Sequence, residues 1–345
     1  ISIKQVNVVL SLLSEGNTIP FIARYRKEMT GNLDEVAILK ISERKQYLDN
    51  LAKRKEEVLR LIEQQGKLTE ELAKNIKQAT QLTQVEDFYL PYKQKRRTKA
   101  TIAKENGLEG LAQFILKETD TDPEKEAEKY LNEKITTSKE ALDGAVEILA
   151  EGISENAKFR QYIRQLASKK AAYKTSVKDE EKDEKGVYEI YYDFEEPLKK
   201  MVSHRVLATN RGEKEGVIKV SLVFSDQEIL AYLKEKTIKR QSVQSPILET
   251  AIQEAYKRFI APSIERELRK ELSDQAEEQA IKIFGENLKH LLLQPALKGK
   301  IVMGFDPAYR TGCKLAIVDE TGKLLAIDVI YPHKPAKEVE RKMAS

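Results

Sequence analysis

The chain has 345 residues, enough for two or three hydrophobic cores, and 34% are charged against 41% hydrophobic and 7% aromatic, with no Trp. Its 60 basic and 56 acidic residues give a net charge of +4, too balanced to argue for a nucleic-acid partner without a local excess. The one cysteine, Cys313, excludes an internal disulfide and any cysteine-based zinc site.

This balance fits a soluble, helix-rich protein with wide solvated faces. A lone cysteine is compatible with a reducing cytosol. No apolar run approaches the roughly 20 residues of a membrane span, and no signal-peptide pattern stands at the start. The sequence opens on Ile1, already inside an apolar pattern, and both ends are expected to be cut.

In chain order, Val6, Val9, Leu10, Leu12 and Leu13 share one broad face of a first helix, which Gly16 stops. Pro20 suits the first turn of a short second helix carrying Phe21, Arg24, Tyr25, Arg26 and Lys27, so the pair resembles a helix-turn-helix. A long helix is predicted over 33–65, with Val36, Leu39, Leu48, Leu51, Val58 and Ile62 as its stripe and Gly66 as its end. Thr69 caps another, predicted to run to residue 89 and to end at Pro91, antiparallel to the first. Asp122-Pro123 starts a further helix. Thr137 and Glu140 form a capping box before a helix stopped by Gly152, and Ser154 caps its successor.

The run 179–185 holds five acids and two lysines and is expected as a solvated loop or an exposed helical turn. A helix is predicted over 197–209, Gly212 and Gly216 bracket a turn, and 217–224 alternates as a strand. Asp226 is the expected cap of the next helix. Ser245-Pro246 opens another, to about residue 260. Pro262 opens a very long one, to about residue 293 with Pro295 beyond it, carrying a stripe of Leu268, Leu272, Ala276, Ala280, Ile283, Phe284, Leu288 and Leu291. The class then changes. A short apolar run ends at Gly304-Phe305-Asp306-Pro307, and two more, 314–318 and 324–331, flank a turn at 319–323. Strand, acid, turn and hairpin are how a ribonuclease-H-like domain begins.

The densest charge lies in 93–104, where Lys93, Lys95, Arg96, Arg97, Lys99 and Lys104 stand with no acid. Phosphate binding needs such a surface, because it is driven largely by counterion release. Tyr89 and Tyr92 directly precede it and could stack unpaired bases. The bland alternative pairs these cations with acids of neighbouring helices. Arg24, Arg26 and Lys27 form a second basic spot, better explained as a solvated helix face. His204-Arg205, Arg211, Lys214 and Lys219 form a third, with His204 expected as a hydrogen-bonded structural residue.

Asp306 is the carboxylate placed where chemistry could use it. An acid on the first strand of ribonuclease-H-type nucleases helps hold two divalent cations at the scissile phosphate, and Mg²⁺ would be the cofactor of that alternative alone. Asp319 and Asp328 lie beside the same hairpin in uncertain register. The competing role for Asp306 is a turn cap, accepting from the Thr311 or Gly312 amides. There is no phosphate-cradling Gly-rich loop with its Lys, no dinucleotide fingerprint and no His-Glu-x-x-His. His204, His290 and His333 are far apart in sequence, and Cys313 reads as a core thiol.

Several segments together resemble one family. They are Ile19-Pro20-Phe21-Ile22-Ala23-Arg24-Tyr25-Arg26-Lys27-Glu28, Asp87-Phe88-Tyr89-Leu90-Pro91-Tyr92-Lys93 with Lys95-Arg96-Arg97-Thr98, Asn210-Arg211-Gly212-Glu213-Lys214-Glu215-Gly216, Pro262-Ser263-Ile264-Glu265-Arg266-Glu267, and Asp306-Pro307 with Arg310-Thr311-Gly312-Cys313-Lys314. This set is similar to the bacterial Tex proteins over nearly the whole chain. The resemblance implies a cytoplasmic transcription accessory protein related to eukaryotic elongation factors. It implies a helical region with helix-turn-helix elements and a YqgF-type domain lacking a complete nuclease site. In the family a helix-hairpin-helix module and an oligonucleotide-binding-fold RNA-binding domain follow, outside this sequence.

The expected architecture is mainly α. Residues 1–298 form an elongated multi-helix region with a small strand-containing insertion near 186–240, and 299–345 are the start of an α/β ribonuclease-H-like domain. The expected function is non-catalytic nucleic-acid binding in transcription, directed to RNA or single strands and using no cofactor. Its alternatives are a metal-dependent nuclease or resolvase using Asp306, and an interaction platform on RNA polymerase or the ribosome.

Overall fold

In the computed structural model, which describes all residues except 95, 295, 296, 298, 309–311 and 333–345, the chain divides into two units, 1–276 and 277–345. Helix α1 (Ile3–Ser14) begins at Ser2, whose hydroxyl accepts from the Gln5 amide while the Gln5 side chain accepts from the Ser2 amide. Gly16, at φ +86°, turns the chain into α2 (Ile19–Tyr25), where Pro20 occupies the first turn as predicted. The short α3 (Lys27–Thr30) leads to α4 (Glu35–Gln64), capped by Asp34. Val9, Leu12, Ile22, Ile38 and Ile41 close a first core. The stripe expected on α4 holds in its second half, where Leu51, Val58 and Ile62 are buried. In the first half Ile38 and Ile41 go inside, and Val36, Leu39 and Leu48 are exposed. Apolar residues lie on several faces there, so periodicity alone does not choose between them.

Beyond Thr69, whose hydroxyl accepts from the Leu72 amide, two helices form where one is predicted: α5 (Glu70–Gln78) and α6 (Leu82–Tyr89). The Gln84 side-chain oxygen accepts from the Thr80 and Gln81 amides, a local cap that competes with helix continuation. These helices and α4 enclose a second core around Ile62, Ile76, Val85 and Tyr89.

The largest core gathers α7 (Lys99–Glu105), α8 (Glu109–Leu116), α9 (Pro123–Ala127), α10 (Ser138–Ser154) and α11 (Ala157–Lys170) with later elements. The Thr137–Glu140 capping box forms as expected. Gly152 and Ser154 behave otherwise. Helix α10 runs through Gly152 to Ser154, whose hydroxyl donates back to the Glu151 carbonyl, and Asn156 caps α11 by accepting from the Lys158 and Phe159 amides. A Cβ at Gly144, on α10, would lie 2.3 Å from Leu108 Cδ1. Leu108 is fully buried and cannot retreat. Gly144→Leu is therefore expected to lower stability in urea unfolding by about 1–3 kcal/mol through overpacking. An unchanged midpoint would mean that α10 can shift away at no cost.

An antiparallel sheet of order β2-β1-β3 follows, made of β1 (Ala172–Val177), β2 (Asp193–Pro197) and β3 (Ile218–Val223). The third matches the predicted strand. Pairing of 193–197 with β1 delays the helix expected from residue 197, so α12 spans Ser203–Lys214. Gly212 lies inside α12 rather than at a turn, and its missing side chain makes room for Tyr188 and Ile218. The charged run 179–185 is not simply solvated. Asp183 is buried, and its carboxylate accepts from the Val187 amide (2.8 Å), the Tyr188 amide (2.7 Å) and the Tyr192 hydroxyl (3.1 Å). Three donors offset the desolvation of that charge.

In α13 (Asp226–Thr237) the cap position belongs to Ser225; Asp226 instead accepts from the Tyr256 hydroxyl at 2.5 Å. Burial, aided by that hydrogen bond to an anion, pushes the Tyr256 phenol well above its ordinary value. The break expected before Pro262 does not occur. Helix α14 (Ser245–Glu254) passes through a π-helical turn, Ala255–Ile260, straight into α15 (Ala261–Leu292). A π turn shifts the hydrogen-bond ladder by one residue, so Pro262 follows a place where the regular pattern is already interrupted. The apolar stripe of α15 is buried at Ile264, Leu268 and Ala276, whereas Ile283, Phe284, Leu288 and Leu291 are exposed. Pro295, its expected stop, lies outside the described residues.

The second unit carries an antiparallel sheet of order β4-β5-β6: β4 (Val302–Asp306), β5 (Cys313–Val318) and β6 (Leu324–Ile330). Asp319 shapes the β5–β6 turn by accepting from the Thr321 hydroxyl and amide and the Lys323 amide, and these donors hold its carboxyl below the usual range. Cys313 is buried, as expected of a core thiol. Among the described residues no helix is long and apolar enough to cross a membrane.

Candidate nucleic-acid interface

Helix α6 ends in a single 3₁₀ turn, Leu90–Tyr92, because Pro91 has no N–H with which to continue the ladder. Thr98, whose hydroxyl accepts from the Thr101 amide, starts α7. Lys93, Arg96 and Arg97 between the two helices and Lys99 at the start of α7 are all exposed, and Lys95 lies outside the described residues. Lys93 and Arg96 form no ion pair among the described residues. Arg97 meets Glu105 at 2.6 Å, Lys99 meets Glu147 at 3.6 Å and Lys104 meets Glu151 at 3.4 Å. The Arg97 and Lys99 side chains stay 66% and 72% exposed in these pairs. Exposed pairs are worth roughly 0–1 kcal/mol, so an arriving phosphate can displace the carboxylates.

The aromatic part of the expectation needs correction. Tyr89 is 8% exposed, its ring inside the second core and covered by the Arg54 guanidinium at 5.4 Å. Arg54 is held in place by Glu86 at 2.6 Å and Glu57 at 2.7 Å, and hydrogen bonding to Glu86 above all raises its pKa. No base can reach that ring. Tyr92 is half-buried against the same core, and its carbonyl accepts from Gln65 Nε2 at 2.8 Å. The signal that could have located Tyr89 is its spacing from Val85, which places both on the inner face of α6.

Arg24, Arg26 and Lys27 are exposed, as expected of a solvated face. Arg26 lies 5.0 Å over the Phe21 ring, whose centroid is 5.2 Å from that of Tyr25. In the third basic group His204 is exposed and makes no hydrogen bond among the described residues, contrary to the structural role expected of it. Arg205 is paired with Glu196 at 2.6 Å.

Asp306 ends β4 directly opposite Lys314, and Leu315 stands opposite Asp328. Strand side chains alternate, so Asp306, Lys314 and Val329 share one face of the sheet while Phe305, Leu315 and Asp328 share the other. Asp328 therefore cannot join Asp306, and Asp319 is engaged in its turn. Among the described residues no group of three or more His, Cys, Asp or Glu side chains is placed to hold a metal ion. Of the two expected donors to Asp306, Thr311 lies outside those residues, as do His333 and Arg310, and the Gly312 amide, within them, makes no hydrogen bond to Asp306.

What sequence reasoning missed is a buried ionic knot. Arg160 Nε donates to Asp87 at 2.8 Å, Arg164 donates to Asp87 at 2.8 and 3.0 Å, and Glu267 accepts from Arg160 at 2.6 Å and from Arg164 at 2.9 Å. It ties α6, α11 and α15 together. Asp87 and Glu267 both fall in segments that carry the family resemblance, which gives those segments a structural role.

Models of one family match three stretches of the chain: the Tex-like protein N-terminal domain at 1–63, the Tex central region at 118–284 and the Tex protein YqgF-like domain at 300–345. The basic connection lies between the first two. An uncharacterized protein YdcI of Bacillus subtilis is 54% identical, over 99% of this chain and 48% of its own length. The transcriptional accessory protein Tex of Neisseria gonorrhoeae is 42% identical over 96% of this chain and 44% of its own length. A human S1 RNA-binding domain-containing protein 1 is 31% identical over 94% of this chain and 34% of its own. The chain thus spans about half or less of the length of these relatives. With consecutive matches in chain order and this level of identity, the chain belongs to the Tex family.

Proposed function

We propose that this protein binds nucleic acid as a non-catalytic scaffold in transcription, directed to RNA or single strands in the whole protein. The observation that carries the reading is the run 93–104, where Lys93, Arg96, Arg97, Lys99 and Lys104 are exposed, Lys93 and Arg96 are unpaired among the described residues, Arg97 is held in a surface pair and Lys99 lies 3.6 Å from Glu147. Lys93, Lys95, Arg96, Arg97 and Lys99 contact phosphates, with Arg24 and Arg26 as a weaker second patch. The printed names of the Neisseria and human relatives point the same way. The setting is cytoplasmic, no cofactor is called for, and RNA polymerase or the ribosome is the protein partner.

The test is binding of single-stranded RNA, single-stranded DNA and duplex DNA by the whole protein across salt. Replacing Lys93, Arg96, Arg97 and Lys99 with Ala should flatten the salt dependence. An unchanged slope would defeat the assignment. The nuclease reading is disfavoured by the opposite faces of Asp306 and Asp328. Mg²⁺- or Mn²⁺-dependent cleavage by the whole protein, abolished by Asp306→Asn, would reinstate it.

A further inference from the structure

A groove of about 420 Å³ opens in the first unit between α8, α10, the start of α11 and the end of α13. That volume is in the range of roughly 300–1,000 Å³ typical of small-ligand sites. Its floor is apolar, with Leu116, Ile148, Leu149 and Ile153, and Phe159 forms part of the wall, held edge-on by Tyr232 at 6.0 Å. Three polar side chains on the walls have unused capacity among the described residues, two of them, Gln113 and Asn156, exposed and one, Thr237, with its hydroxyl buried. Gln113 makes no hydrogen bond. Asn156 spends only its oxygen, on the Lys158 and Phe159 amides. The Thr237 hydroxyl is buried with no partner. A buried polar group left without a partner costs about 1–3 kcal/mol, so the Thr237 hydroxyl favours a ligand that can pair with it.

Lys104 and Lys236 stand on the rim with Glu109. Their carboxylate partners are the largely buried Glu151, at 3.4 Å, and the exposed Glu235, at 2.8 Å. Lys104 is also the last cation of the basic connection. It and Lys99 lie at opposite ends of α7, and of the two Lys104 lines this groove. The cationic track therefore leads to the mouth of an apolar slot.

We propose that this groove takes one unpaired base of a single-stranded nucleic acid, packed against Phe159, with its edge toward Gln113, Asn156 and Thr237 and its phosphate at Lys104. The proposal rests on the nucleic-acid reading above and adds to it the site where a base is held, a role that the buried Tyr89 cannot fill.

Gly152 supplies a clean test. It lies on α10 at the groove, and a Cβ there would meet nothing within 4 Å. Gly152→Leu therefore starts a bulky side chain at the groove with no clash at its Cβ, and helix propensity favours the change. The whole protein is irradiated with oligouridine carrying 4-thiouridine, and cross-linked peptides are mapped by mass spectrometry. Wild type should cross-link within 148–159. Gly152→Leu should cut that yield about tenfold, the scale of one lost base stack, while cross-links near 93–104 and the melting temperature hold. Cross-links near 93–104 with none in the groove, or an unchanged yield in Gly152→Leu, overturn the groove and leave the phosphate track standing. If Gly152→Leu instead breaks a nuclease-resistant protein association, with no groove cross-link in wild type, the slot belongs to a peptide. Absence of cross-links from both regions removes both readings.

Discussion

Asp87→Ala is expected to destabilise the first unit by about 3–5 kcal/mol in urea unfolding, the cost of breaking a buried ion pair from one side. Asp87 and Arg160 are 5% and 4% exposed, so neither charge can be rescued by water. With Asp87 gone, Glu267 is left as the one carboxylate for two guanidinium groups. Burial on its own lowers the Arg164 pKa, but the hydrogen bonds and charge of Asp87, with the charge of Glu267, outweigh it and leave it raised. Arginine does not shed its proton in any case, so the excess charge stays buried. Replacing Asp87, Arg160, Arg164 and Glu267 together with apolar residues of similar volume should cost far less than Asp87→Ala alone, because the desolvation penalty disappears with the pairs. A loss below about 1 kcal/mol for Asp87→Ala would show that water reaches the knot in solution.

The four-residue Ala variant of the basic connection should lose about three units of the log–log salt slope for single strands, at roughly 0.7 per phosphate contact. Between 50 and 200 mM salt, the affinity gap between variant and wild type should therefore shrink about fiftyfold. The contributions should be unequal. Arg97 must leave Glu105 and Lys99 must leave Glu147 before meeting a phosphate, whereas Lys93 and Arg96 surrender no such partner among the described residues. Lys93→Ala/Arg96→Ala should weaken binding at low salt more than Arg97→Ala/Lys99→Ala. The reverse order would show that the glutamates pre-position their cations for the ligand.

Much of this was legible locally. The caps at Thr69 and Thr137, the glycine turns after α1 and α4 and the turn around Asp319 all rest on hydrogen bonds spanning a few residues, and the strand at 218–223 shows in its own alternation. The exposure of Lys93, Arg96, Arg97 and Lys99 was legible too, because a run of cations without acids has nothing nearby in sequence to bury it. Tyr89 was misplaced since an aromatic beside lysines reads as a stacking platform, while its burial depends on α4 and α5 folding over it. The π turn before Pro262 was hidden because proline signals a break far more often than an irregular continuation.

The sequence by itself determined the helix starts at Pro20, Thr69, Asp122 and Thr137, where the strand-and-turn segment replaces helices, and where positive charge collects, since each follows from interactions within a turn or two of chain. Only the tertiary structure decided which face of α4 goes inside, that Asp87 is locked to Arg160 across 73 residues of sequence, and that Asp306 and Asp328 point apart. Burial, charge pairing and strand register are set by neighbours remote along the chain, and no local pattern encodes their identity.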